Sequence, residues 1–112
     1  MEECIFCKII QGGIPAHVVY ESADVLAFDD VNPMAPVHVV VVPKAHVATL
    51  MDVGKGGMME ALTAAVQEVA RIKGIAATGF RTVINCNEDG GQVIFHLHIH
   101  VLGGRKLSDD MG

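Results

Sequence analysis

The sequence predicts an α+β domain: an antiparallel five-stranded sheet carrying one long and one short helix. Two patterns lead there. Short β-branched and aromatic runs succeed one another through turn-forming residues, and apolar residues recur at helical spacing over a sustained length only once. The chain has 112 residues, 51% hydrophobic and 19% charged, a composition that suits one packed core and lies far from that of disordered segments. No repeat, low-complexity tract or polar linker divides it, so residues 1–112 read as a single domain.

In chain order, Cys4 to Ile10 carries Ile5, Phe6, Ile9 and Ile10 and stops at Gly12-Gly13, which suits a short amphipathic helix. Val18 to Glu21 and Val25 to Phe28, separated by Ser22-Ala23-Asp24, form a hairpin. Pro33 and Pro36 keep the loop from Asp29 to Pro36 irregular. His38 to Val42 is a buried strand ended by Pro43. The long helix follows Gly57, with Met58 or Met59, Leu62, Ala65, Val66, Val69 and Ile72 as its apolar stripe and Gly74 as its stop. Phe80 to Cys86 and Val93 to Leu102 are the last two strands, joined by a turn over Asn87 to Gly91. The glycines at 54 to 57 lack the Lys-Ser/Thr ending of a phosphate loop and read as a flexible turn.

A formal net charge of −5 leaves no basic stripe for a nucleic-acid duplex, while a small phosphate ligand is compatible with it. Glu2 and Glu3 stand where a signal peptide would be positive, and the longest apolar run, around Val39 to Val42, is too short for a bilayer. Three cysteines, Cys4, Cys7 and Cys86, do not make a disulfide framework, so the expectation is a reducing, cytoplasmic setting with no membrane partner.

The segment HLHIHVL, residues 96–102, carries the chemistry. Side chains alternate along a strand, so His96, His98 and His100 share one face, about 6.5 to 7 Å apart, while Leu97, Ile99 and Val101 share the other. Three imidazoles in alternation are costly to satisfy inside a core. A neutral imidazole nitrogen is a competent nucleophile toward phosphorus when an acceptor holds the opposite ring nitrogen, and a second imidazole can donate to phosphate oxygens. On spacing alone, a catalytic zinc held by such histidines stays open as an alternative.

These segments resemble the histidine-triad nucleotide-binding proteins, specifically their Hint-like branch of nucleoside phosphoramidate hydrolases. The likeness runs through CIFCKIIQGGIPA, VLAFDDVNPMAPVHVVVVPKAHV and NCNEDGGQVIFHLHIHVLGGR, nearly the whole chain. It implies a homodimer with joined sheets that hydrolyses nucleoside 5′-phosphoramidates and needs no metal for the chemistry. It makes His98 the nucleophile that takes AMP, with the His96 carbonyl fixing its tautomer, His100 a phosphate contact and His38 the completing histidine. It assigns phosphate hydrogen bonds to Asn85 and Gln92, the ribose hydroxyls to Asp30, and an adenine or guanine pocket to Phe6, Ile9, Phe28 and Val31. Two positions depart from the pattern. Val93 stands where the Hint-like proteins place a serine or threonine, and the ending KLSDDMG lacks the tryptophan-containing tail of the animal proteins.

Cys4-x-x-Cys7 has a spacing that lets two thiolates reach one zinc, but a complete site needs two further ligands. In zinc-containing relatives these correspond to His46 and His96, and their presence here implies a structural Cys2His2 zinc. A redox role is disfavoured because no βαβ setting surrounds the pair.

Overall fold

The computed structural model describes residues 4–112. Helix α1 (Ile5–Ile10) is followed by strands β1 (Val18–Glu21), β2 (Val25–Asp29) and β3 (Val37–Pro43), a 3-10 turn (Leu50–Asp52), helix α2 (Met58–Ile72), β4 (Phe80–Val83) and β5 (Ile99–Gly103). The strands form one five-stranded antiparallel sheet in the order β1-β2-β3-β5-β4, confirming the α+β class. Among the described residues, no helix is long and apolar enough to cross a membrane.

The two faces of the sheet bury different partners. On one, Val25, Ala27, Val39, Val41, Leu97, Ile99 and Val101 pack with Leu62, Ala65, Val66, Val69 and Ala70 of α2. On the other, Leu26, Phe28, Val40 and Val42 pack against Phe6 of α1. Strand β3 is therefore buried on both sides, which explains its unbroken valines. Each large apolar side chain fully buried here contributes about 1.5–3 kcal/mol relative to exposure.

Helix α2 ends as Gly74 predicts: Gly74 takes φ 72° and the Ile75 N–H turns back to the Ala70 carbonyl at 2.9 Å. The expected stripe needs one change. Ile72 is 54% exposed, because Ala70 occupies the inward direction and Ile75, 3% exposed, closes the core beyond the turn. Strand β4 stops at Val83, short of Cys86, and β5 begins at Ile99, well after Val93. Those missing ladder positions bond elsewhere. The Leu97 N–H goes to the Val47 carbonyl at 2.7 Å, and the Gln92 side chain ties the intervening turn together. His96 and His98 thus precede the ladder, yet the alternation holds, since Leu97, Ile99 and Val101 all pack beneath α2.

Candidate active site

Residues 96–98 run out of the sheet while keeping its alternation, which turns the three imidazoles to the α1 side. His98 is 8% exposed, and its Nδ1–H donates to the His96 carbonyl at 2.7 Å. A carbonyl can only accept, so Nδ1 carries the proton and Nε2 keeps a bare lone pair. The Phe6 ring stands edge-on to His98, centroids 5.1 Å apart, and restricts the imidazole further.

A second fixed group sets His38 and His100. The Met34 backbone N–H donates to His38 Nδ1 at 3.0 Å, which leaves the His38 proton on Nε2. That proton is donated to His100 Nδ1 at 2.9 Å, so His100 presents Nε2–H as a donor. Burial, reinforced by His98 and then His38, pushes His100 down to about 4, so near neutral pH it donates without being a cation. Burial also lowers His38, and the Asp30 carboxylate, 3.5 Å from its Nε2, opposes that shift only in part. Asp30, His38 and His100 lie close enough to offer a metal three atoms, but His38 Nε2 already spends its proton on His100.

These groups border a cavity of about 590 Å³. Phe6, Ile9, Phe28, Val31, Asp30, Asn85, His98 and His100 all line it, and His38 stands behind His100. Val31 is 89% exposed and forms rim rather than wall. Gln92 departs from its expected place: it is not among the lining residues, and its amide is consumed within the turn. Its Oε1 accepts from the Asn87 N–H at 2.8 Å, while Nε2 donates to the carbonyls of Ala48 at 2.8 Å and Ile94 at 3.1 Å. No amide proton is left for a ligand. Val93, without a hydroxyl, does line the cavity and is 87% exposed.

Behind the histidine segment, Cys4, Cys7, His46 and His96 converge closely enough to hold a metal ion. Cys4 caps α1, its Sγ accepting from the Cys7 N–H at 3.2 Å. His96 is fully buried and donates Nε2–H to the Pro43 carbonyl at 2.8 Å, which turns a bare Nδ1 toward the cluster. That atom lies 3.3 Å from Cys4 Sγ, 3.5 Å from Cys7 Sγ and 3.2 Å from His46 Nδ1, and His46 Nδ1 lies 3.3 Å from Cys7 Sγ. A tetrahedral centre with metal–sulfur bonds of about 2.3 Å and metal–nitrogen bonds of about 2.0–2.1 Å needs nitrogen–nitrogen separations of roughly 3.3 Å, nitrogen–sulfur separations of roughly 3.6 Å and a sulfur–sulfur separation of roughly 3.8 Å. The four residues fit. Burial raises the Cys7 thiol, and its neighbour Cys4 adds to the shift.

The profile of the HIT domain matches residues 11–107. The chain belongs to the HIT family. Among its relatives is the purine nucleoside phosphoramidase of Escherichia coli strain K12, 40% identical over 109 residues that span 95% of this chain and 91% of that one. A HIT family hydrolase from Legionella pneumophila Philadelphia 1 superposes with a TM-score of 0.94 at 41% identity, covering 98% of this chain and 100% of its own. A histidine triad protein from Clostridium difficile gives 0.94 at 45%, covering 98% and 97%.

In this HIT protein the sequence reading missed part of the cavity wall. Ile14, Pro15 and Ala16 line it from the segment between α1 and β1, and Ile94 from the last turn. Neither stretch has a period that marks a buried face. His17 is exposed and pairs with Asp29, which also accepts from Lys73 at 2.9 Å. Burial opposes ionisation of Asp29, yet those two partners outweigh it and hold the carboxyl below its usual range.

Proposed function

We propose that this HIT protein is a purine nucleotide hydrolase that cleaves nucleoside 5′-phosphoramidates, or related nucleotides, through a nucleotidyl-histidine intermediate. The observation that carries the reading is the bare Nε2 of His98, held by the Nδ1–H to His96 carbonyl bond at the edge of an apolar cavity. The kinship with a purine nucleoside phosphoramidase supports the substrate class.

The base packs among Phe6, Ile9 and Phe28, Asp30 accepts from the ribose, and the phosphate meets His98, His100 and Asn85. His98 Nε2 attacks the α-phosphorus. A nitrogen–phosphorus bond forms as the bond to the leaving amine breaks, and the amine departs with a proton from solvent. The His96 carbonyl stabilises the charge gained by the ring, and His100 Nε2–H donates to a phosphate oxygen. Water then displaces the histidine, releasing AMP or GMP and returning the lone pair. One water is consumed per turnover.

The Cys4, Cys7, His46 and His96 cluster takes zinc in this reading, since two thiolates with two imidazoles at tetrahedral spacing suit it. With four protein ligands the ion supplies a cross-link and no open coordination position. The same reading makes the protein a cytoplasmic homodimer, with Cys4, Cys7 and Cys86 outside any disulfide and Cys86 alone left as a free thiol.

Replacing His98 by Asn tests the hydrolase. Turnover of adenosine 5′-phosphoramidate should vanish while AMP binding and folding persist, and continued turnover takes the nucleophile's role from His98. A second reading, a nucleotide-binding scaffold with weak hydrolysis, draws on Val93 and on the fully occupied Gln92 amide. Val93→Ser separates the two. A regained hydrogen bond to charged phosphate is worth about 1.5–3 kcal/mol, so a weakened enzyme gains at least about tenfold in turnover. An already fully active Val93 protein disposes of the scaffold reading.

A further inference from the structure

We infer that His96 is a positioning residue linking the metal cluster to the nucleophile, so that a metal held by Cys4, Cys7, His46 and His96 governs how firmly His98 keeps its reactive tautomer. The inference rests on the proposed hydrolase reading for its activity readout only.

Its basis is that His96 has three attachments at once. Its Nδ1 faces the cluster, its Nε2 is tied to the Pro43 carbonyl, and its own carbonyl receives the His98 Nδ1–H. No ladder hydrogen bond backs this up, because β5 begins only at Ile99. The Leu97 side chain is held in the core beneath α2, and the backbone of this stretch is anchored by the Leu97 N–H to Val47 carbonyl bond, where Val47 follows His46 directly. The segment is therefore pinned at both points to the neighbourhood of the cluster.

A second route runs through α1. Cys4 caps that helix and Cys7 lies within it, one residue from Phe6. The Phe6 ring touches both imidazoles edge-on, with centroids 5.9 Å from His96 and 5.1 Å from His98, and it also lines the cavity. An open cluster frees the His96 ring on its Nδ1 side and releases the thiolate tether on α1. The carbonyl that orients His98 and the aromatic wall beside it then loosen together.

The test compares protein loaded with zinc and protein stripped by a chelator, with circular dichroism as the folding control. Nitrogen-15 histidine spectra should show His98 as a single Nδ1–H tautomer in the loaded protein and as a mixture in the stripped one. Turnover number should fall by about tenfold or more, with a smaller change in KM. His46→Ala, at a position outside the cavity lining, should reproduce the stripped spectrum, and His46→Cys should restore the loaded one by returning a ligand. An unchanged tautomer spectrum in folded, stripped protein overturns the inference. Should stripping unfold the chain, cadmium replaces zinc: its longer bonds displace His96, so the His98 signal and kcat should shift, and identical spectra and kcat with both metals overturn it. A loaded protein with the single tautomer but no phosphoramidate turnover would instead sink the hydrolase reading and leave the linkage standing.

Discussion

At His100, protonation is decided by burial and by the neighbouring imidazoles. Held at about 4 against an ordinary 6.5, it binds its proton less readily folded than unfolded. Between those values the unfolded chain takes up the proton first, so stability is full above pH 6.5 and is lost as pH falls toward 4. His38 and His96, also lowered mainly by burial, add in the same direction. Urea unfolding at pH 7 and pH 5 should give a loss of about 1–2 kcal/mol, smaller in His100→Gln, which cannot titrate. Equal stability at both pH values contradicts the assignment of His100 as a neutral donor. At this scale much of the site was legible: three imidazoles alternating through apolar residues carry a message that composition cannot hide. Gln92 was not, because whether an amide points into a cavity or back into its own turn depends on distant carbonyls such as that of Ala48.

At the scale of elements, α1 serves the site and the sheet together, since Phe6 is 7% exposed and joins the lesser core while lining the cavity. Phe6→Ala should cost about 3–4 kcal/mol and weaken AMP binding, measured by thermal unfolding and calorimetry. Unaltered AMP affinity would separate the helix from the pocket. The turn that carries Asn85 toward Val93 is equally tight. A Cβ on Gly90 would stand 2.5 Å from the Cys86 carbonyl oxygen and 2.8 Å from its nitrogen, both backbone atoms that cannot swing aside. Gly90→Ala should therefore destabilise by on the order of 2 kcal/mol and lower turnover, whereas a neutral effect means the turn is looser than its packing implies. Both helices were foreseeable from period and caps. The late start of β5 was not, because apolar alternation continues through Leu97 although the hydrogen bonds that define a strand do not. Alternation reports which face is buried, and pairing is settled by what the neighbouring chain offers.

At the scale of the molecule, one sheet separates two tasks. The α2 side holds the larger core, and the α1 side gives up packing to polar rings, a cavity and four converging ligands. Removing metal should accordingly lower the thermal midpoint by about 10 °C or more, as scanning calorimetry of chelated and loaded protein would show. An unshifted midpoint would mean that the cluster holds no ion in solution. Class, element order and the separation of core from site followed from patterning, whereas the cavity wall at Ile14 to Ala16 emerges only when the chain is folded back on itself. The central claim is chemical: the bare nitrogen of His98 takes the nucleotide. The most direct measurement is mass spectrometry of protein quenched in acetone under alkaline conditions during turnover of an adenosine phosphoramidate. The account predicts one adenylyl group, carried on the peptide containing His98 and missing in His98→Asn. Steady turnover with no adduct at the earliest times, or an adduct on another residue, would contradict it.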